Sequence, residues 1–110
     1  MIALLLLLAC DRTHAPCVDT DSGSVVIWSD CDNKDGVELA GLTVSQNGST
    51  MWGIASPSRD GTKVAQVQYG DAPEGWNTTG DALSLTSGGV YGVDLSYYDA
   101  VEASTDFTAP

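Results

Sequence analysis

Between Leu83 and Leu95 the chain runs Leu83, Leu85, a Thr86-Ser87-Gly88-Gly89 corner, then Tyr91, Val93 and Leu95. This stretch limits the fold more than any other. Tyr91, Val93 and Leu95 recur at every second position, the period of a strand with one buried side. They share one face, while Val90, Gly92, Asp94 and Ser96 share the other. Leu83 and Leu85 carry the same spacing upstream and predict a strand before the corner. Gly88 and Gly89 suit the change of direction, because glycine adopts positive φ without steric cost.

The remaining apolar residues extend the pattern. At 110 residues the chain has room for one domain with a modest core. Helix formers are sparse after residue 10, while Gly, Ser, Thr, Asp and Val are plentiful, a composition of strands joined by turns. Val25-Val26-Ile27-Trp28 predicts a first strand. Val37, Leu39, Leu42 and Val44 predict a second, with a kink or bulge at Gly41. Gln46-Asn47-Gly48-Ser49 then predicts a tight hairpin, since Asn-Gly favours a type I′ turn. Thr50, Trp52 and Ile54 alternate with Met51, Gly53 and Ala55, which makes Trp52 the candidate core aromatic. Pro57 to Gly61 turns the chain. Lys63–Tyr69 offers Ala65, Val67 and Tyr69 to one face, with Val64, Gln66 and Gln68 on the other. Val101, Ala103, Thr105 and Phe107 share a face of the last strand.

A tyrosine opening a strand after a glycine corner resembles the E–F corner of immunoglobulin-like and fibronectin type III-like sandwiches, where that tyrosine bonds back to nearby backbone. Val67-Gln68-Tyr69-Gly70, Pro73-Glu74-Gly75-Trp76, Leu85 to Val93 and a closing Phe107 together resemble a recurring pattern of uncharacterised bacterial envelope proteins. These motifs are structural. The resemblance implies an all-β chain, a single Ig-like/fibronectin type III-like β-sandwich of about seven antiparallel strands over residues 25–110, and no catalytic residue.

The formal charge is −11, from 15 acidic side chains against Arg12, Lys34, Arg59 and Lys63. Phosphate neutralisation needs clustered basic residues, so nucleic-acid binding is not expected. An anionic lipid surface is equally ill served. The acidity reads as a soluble, self-repelling surface.

Met1 to Ala9 is an apolar run too short to cross a bilayer, which takes about 20 residues, and it matches the hydrophobic part of an export signal. Leu7-Leu8-Ala9-Cys10 resembles the lipobox of bacterial lipoproteins, although no Lys or Arg precedes the run. The resemblance implies a signal peptide over residues 1–9, diacylglyceryl transfer to the Cys10 sulfur, and cleavage before Cys10. Multiple acyl chains then hold the protein stably at a membrane of the cell envelope. The competing reading makes residues 1–9 an ordinary strand or short helix. Residues 10–24 are polar and carry no period, and read as a lipidated N-terminus and tether. His14, the one histidine, falls there and is expected to be solvated.

Lipidation of Cys10 would leave Cys17 and Cys31 as a pair in an oxidising compartment. Their bond closes a loop of about 15 residues, worth about 3 kcal/mol in the chain-entropy model. Around Cys31 the carboxylates are dense. The segment from Asp30 to Glu38 is not an EF-hand: Gly36 at loop position six puts Cys31 first and Leu42 twelfth, and Asp30 first puts Lys34 fifth. A disulfide could still gather Asp19, Asp21, Asp30, Asp32, Asp35 and Glu38 about a structural calcium ion. A solvated Asx turn is the expected alternative, and no other cofactor is expected.

The sequence carries no recognisable catalytic motif. One histidine on a tether offers no Ser-His pair, the cysteines leave no zinc set, and no Gly-rich loop precedes a lysine. Asn47-Gly48-Ser49 and Asn77-Thr78-Thr79 are glycosylation sequons, without meaning in a bacterial lipoprotein. Trp76, Tyr97 and Tyr98 remain as candidate ligand-facing aromatics, able to stack on a sugar or anchor a protein; the expected alternative is that each caps an end of the core. The expected function is therefore non-enzymatic: a structural or protein-binding module, or alternatively a small carbohydrate-binding lipoprotein, with an envelope protein or a glycan as partner.

Overall fold

The computed structural model describes residues 12–110. The expected signal peptide over residues 1–9 and the expected lipidation site Cys10 lie outside the described residues. Eight antiparallel strands form two packed sheets: β1 (Cys17–Asp19), β2 (Val26–Trp28), β3 (Leu39–Gln46), β4 (Ser49–Ala55), β5 (Gln66–Gln68), β6 (Asn77–Thr78), β7 (Val90–Tyr97) and β8 (Ala103–Thr108). One sheet has the order β1-β2-β5, the other β6-β4-β3-β7-β8. The expected β-sandwich is thus the architecture found, with eight strands in place of about seven.

Alternation determines which residues meet between the sheets. Tyr91, Val93, Leu95 and Tyr97 of β7 are buried, as are Leu42 and Val44 of β3 and Trp52 and Ile54 of β4. They meet Val25, Ile27, Val64 and Val67 from the other side in one core cluster. Leu39 and Leu42 both point inward although three positions separate them, an odd step that a regular strand forbids. The expected irregularity resolves this: the β3–β7 register shifts between Leu39 and Gly41, so an extra residue restores the inward phase. The hairpin also forms as expected, with Asn47 at φ 52° and Gly48 at φ 82° joining Gln46 to Ser49.

The Tyr91 corner closes as its resemblance implies. The Thr86 amide donates to the Tyr91 hydroxyl at 2.8 Å, and the Tyr91 ring stacks on Phe107 at 5.6 Å. Three expectations need correction. Leu83 and Leu85 form no strand: they cross the surface in a loop with Leu83 54% exposed, because its amide bond to the Met51 carbonyl is isolated rather than part of a ladder. Val101 lies before β8 and is exposed. Val64, assigned to the outer face, is buried, because the chain makes only a single bridge to Val37 there and enters β5 two residues later.

The N-terminal segment is also more ordered than a tether. Cys17–Asp19 pairs with β2. Ahead of it, the Arg12 carbonyl accepts from the Val101 amide at 3.0 Å and the Ala15 carbonyl from the Cys31 amide at 2.8 Å. Backbone donors of two loops thus hold residues 12–16 against the sandwich.

Candidate functional site

One end of the sandwich concentrates the polar chemistry. The start of β3, the end of β4 and the end of β7 meet there, since Leu39 pairs with Tyr97 and Gly41 with Ala55. Tyr97 and Tyr98 are consecutive, so their side chains leave the strand on opposite sides. Tyr97 backs a buried clasp, and Tyr98 lines an open cleft.

The clasp is built on His14. Its Nδ1 lies 2.8 Å from Asp30 Oδ2 and its Nε2 3.0 Å from Asp99 Oδ1. Both ring nitrogens are thus engaged by carboxylates, one from the loop after β2 and one from the loop after β7. The His14 side chain is only 10% exposed, and its ring meets Tyr97 edge-on at 4.7 Å. Tyr97 in turn donates its hydroxyl to the Ser29 carbonyl at 2.7 Å. Ser29 Oγ donates to the Val64 and Ala65 carbonyls, locking the β2 exit to the β5 entry. Asp30 Oδ1 also accepts from the amides of Asp32 at 2.9 Å and Ala15 at 3.4 Å. Burial pushes the Asp30 carboxyl up, but these amides and His14 outweigh it and hold the group below the usual range. Burial, then Asp30 and Asp99, raises the Tyr97 phenol far above its ordinary value. The bond between Cys17 and Cys31, with Cα atoms 6.0 Å apart, staples the segment just beyond the clasp.

His14 therefore departs from the solvated tether expected of it, and Tyr97 from the ligand-facing role. Both are interior groups with their polar atoms satisfied. The calcium cluster does not assemble either: no group of three His, Cys, Asp or Glu among the described residues could hold a metal ion. Asp30 turns to His14, and Glu38 turns away to Arg59 at 3.2 Å. Asp19 closes a local turn by accepting from the Asp21 amide, while Asp32 and Asp35 stay exposed in the loop before β3.

The cleft has a volume of about 190 Å³. Leu39 and Val64 reach it from the core; Trp76 and Pro73 come from the loop before β6, and Tyr98 from the end of β7. Glu38, Asp60 and Glu74 bring carboxylates, and Ser56, Ser58 and Thr62 bring hydroxyls. Local bonds shape this frame. The Tyr98 amide donates to the Glu38 carbonyl at 3.0 Å, the Ser56 amide to the Ala40 carbonyl at 2.8 Å, and the Trp76 amide to Pro73 at 3.2 Å. The Thr62 amide caps Asp60 at 2.9 Å, and the Thr62 contacts hold that carboxyl below its usual range. Two of the three proposed aromatics, Trp76 and Tyr98, are thus brought to one cleft.

No protein-family model matches the chain, and no curated protein matches it. The class that fold and site define is an all-β sandwich with an aromatic cleft at one end.

Proposed function

We propose that this protein is a non-enzymatic binding module of a bacterial cell envelope, held at a membrane by acyl chains on Cys10, which presents its end cleft to a protein partner. The observation that carries the reading is the pairing of Trp76 and Tyr98 over one small cleft, because such rings anchor partners once desolvated. The Leu7-Leu8-Ala9-Cys10 motif supports the anchor. So does the bond between Cys17 and Cys31, which leaves Cys10 the one cysteine open to acylation. The occupation of both His14 ring nitrogens supports a non-catalytic role, since it removes the chain's one histidine as a general base. The strand order and the Tyr91–Thr86 bond support kinship with the immunoglobulin-like and fibronectin type III-like sandwiches.

The first described residue, Arg12, lies at the cleft end. The Arg12 carbonyl accepts from the Val101 amide, three residues beyond Tyr98, and only Asp11 stands between Arg12 and Cys10, a reach of about 7 Å. The cleft is thereby held close to the membrane, and the partner is a membrane-associated or membrane-proximal protein.

A photo-crosslinking residue at Ser58, on the cleft rim, tests the reading in intact cells. One discrete adduct that disappears with Trp76→Ala is expected. Adducts equal in yield with and without Trp76 would refute the cleft as the binding surface. A carbohydrate ligand is the second reading, favoured by the Ser56, Ser58 and Thr62 hydroxyls beside Trp76; Trp76-dependent binding on a glycan array would select it.

A further inference from the structure

We infer that the cleft is a docking site for a basic segment of the partner, entered by an arginine side chain, and that Arg59 already occupies part of that site from within the chain. This deepens the reading of the cleft as the binding surface and rests on it. The lining holds two aromatic rings and three carboxylates, Glu38, Asp60 and Glu74, and no lysine or arginine. A ring face beside a carboxylate is the setting in which a planar guanidinium gains both stacking and a forked ion pair.

The chain demonstrates this with its own side chain. The Arg59 guanidinium lies 5.7 Å from the Tyr98 ring centroid and forks onto Glu38, with Nε to Oε1 at 3.2 Å and Nη2 to Oε2 at 3.4 Å. Its side chain is 55% exposed, so it covers the Tyr98 and Glu38 edge without filling the cleft. Glu74 and Asp60 make no ion pair among the described residues and remain to receive a second cation beside Trp76.

Size and charge select among ligands. At about 190 Å³ the cleft falls below the roughly 300–1,000 Å³ of small-molecule pockets and suits one long side chain. The net charge of −11 draws a basic segment from a distance and opposes an acidic one.

The test is an NMR titration of the acylation-free domain, disulfide intact, with a hexa-arginine peptide, N-acetyl-arginine amide and a panel of neutral monosaccharides. The arginine probes should shift the Trp76 indole and the Tyr98 and Ser58 amides together. Affinity for the peptide should fall about tenfold in Trp76→Ala, corresponding to about 1.4 kcal/mol. Glu74→Gln, an exposed change that leaves packing intact, should weaken it severalfold. Arg59→Ala should do the reverse and tighten binding severalfold, by vacating Tyr98 and Glu38. Shifts spread over the acidic surface and indifferent to Trp76 and Glu74 would overturn the inference. Sugars moving the cleft signals while arginine does not would overturn it and leave a binding cleft. No probe moving them would remove the cleft's binding role as well.

Discussion

His14→Ala is the perturbation whose cost follows most directly from the geometry. It strips the imidazole from Asp30, whose side chain is 9% exposed, and from Asp99 at 20%. Breaking a buried ion pair from one side costs about 3–5 kcal/mol when nothing else supports the orphaned charge. Here Asp30 keeps the Asp32 and Ala15 amides, and Asp99 gains access to water. The loss is then nearer that of one hydrogen bond to a charged group, about 2 kcal/mol. At roughly 4 °C per kcal/mol for a domain of this size, Tm should fall by about 8 °C. The same variant should release the N-terminal segment, because Arg12 and Ala15 hold the Val101 and Cys31 amides. Amide hydrogen exchange at those two positions should accelerate while Val44 and Val93, at the sheet centre, stay protected. Adding Asp99→Asn should cost less in the His14→Ala background than in the wild type, the mark of a shared interaction. A melting point within about 1 °C of wild type, with both amides still slow to exchange, would refute the clasp.

Four further perturbations have definite signs. Gly36→Ala should cost about 3 kcal/mol in a urea melt, since Gly36 has φ +100° and a Cβ there would meet the Ala65 nitrogen at 2.8 Å; a loss under about 1 kcal/mol would contradict the close approach. Tyr91→Phe should cost about 1 kcal/mol by leaving the Thr86 amide without its acceptor, read from the urea midpoint at unchanged m. The folded Asp30 carboxyl lies below the ordinary 3.8, so its contribution is complete above that value and is lost as pH falls through the folded one; Asp30→Asn should flatten the acid limb of the Tm–pH curve. The Tyr97 phenol is raised above the ordinary 10.0, so its contribution is complete below pH 10 and lost above it; burial raises Tyr69 too, but ultraviolet titration should show the last tyrosine to ionise lost in Tyr97→Phe.

The sequence carried the architecture because strand period is a local signal. Tyr91, Val93 and Leu95 revealed the central strand, and the odd step from Leu39 to Leu42 required an irregularity at the place where Gly41 stands. The same period, taken one step further, puts Tyr97 inside; of the two readings its position beside Tyr98 and a turn left open, ligand-facing or capping the core, burial selects the second. Leu83 and Leu85 show the converse. Their spacing matches a strand, but no ladder forms beside them, and only Leu85 packs against the core while Leu83 stays exposed. His14 was illegible for a different reason: its partners lie 16 and 85 positions away, and no local pattern reports a contact made by tertiary folding. The Cys17–Cys31 pairing was the one available hint, since a staple at Cys31 brings the preceding segment to Asp30. Trp76 and Tyr98 were recognisable as aromatics beside turns, whereas their convergence with Glu38 and Asp60 on one cleft depends on three loops meeting.

The proposed anchorage at Cys10 would set where the cleft stands, and intact-mass spectrometry of the protein from the membrane fraction tests it most directly. The account predicts a chain beginning at Cys10, carrying a diacylglyceryl group, with Cys17 and Cys31 lacking their two thiol hydrogens. A full-length chain with residues 1–9 attached and no lipid on Cys10 would contradict it.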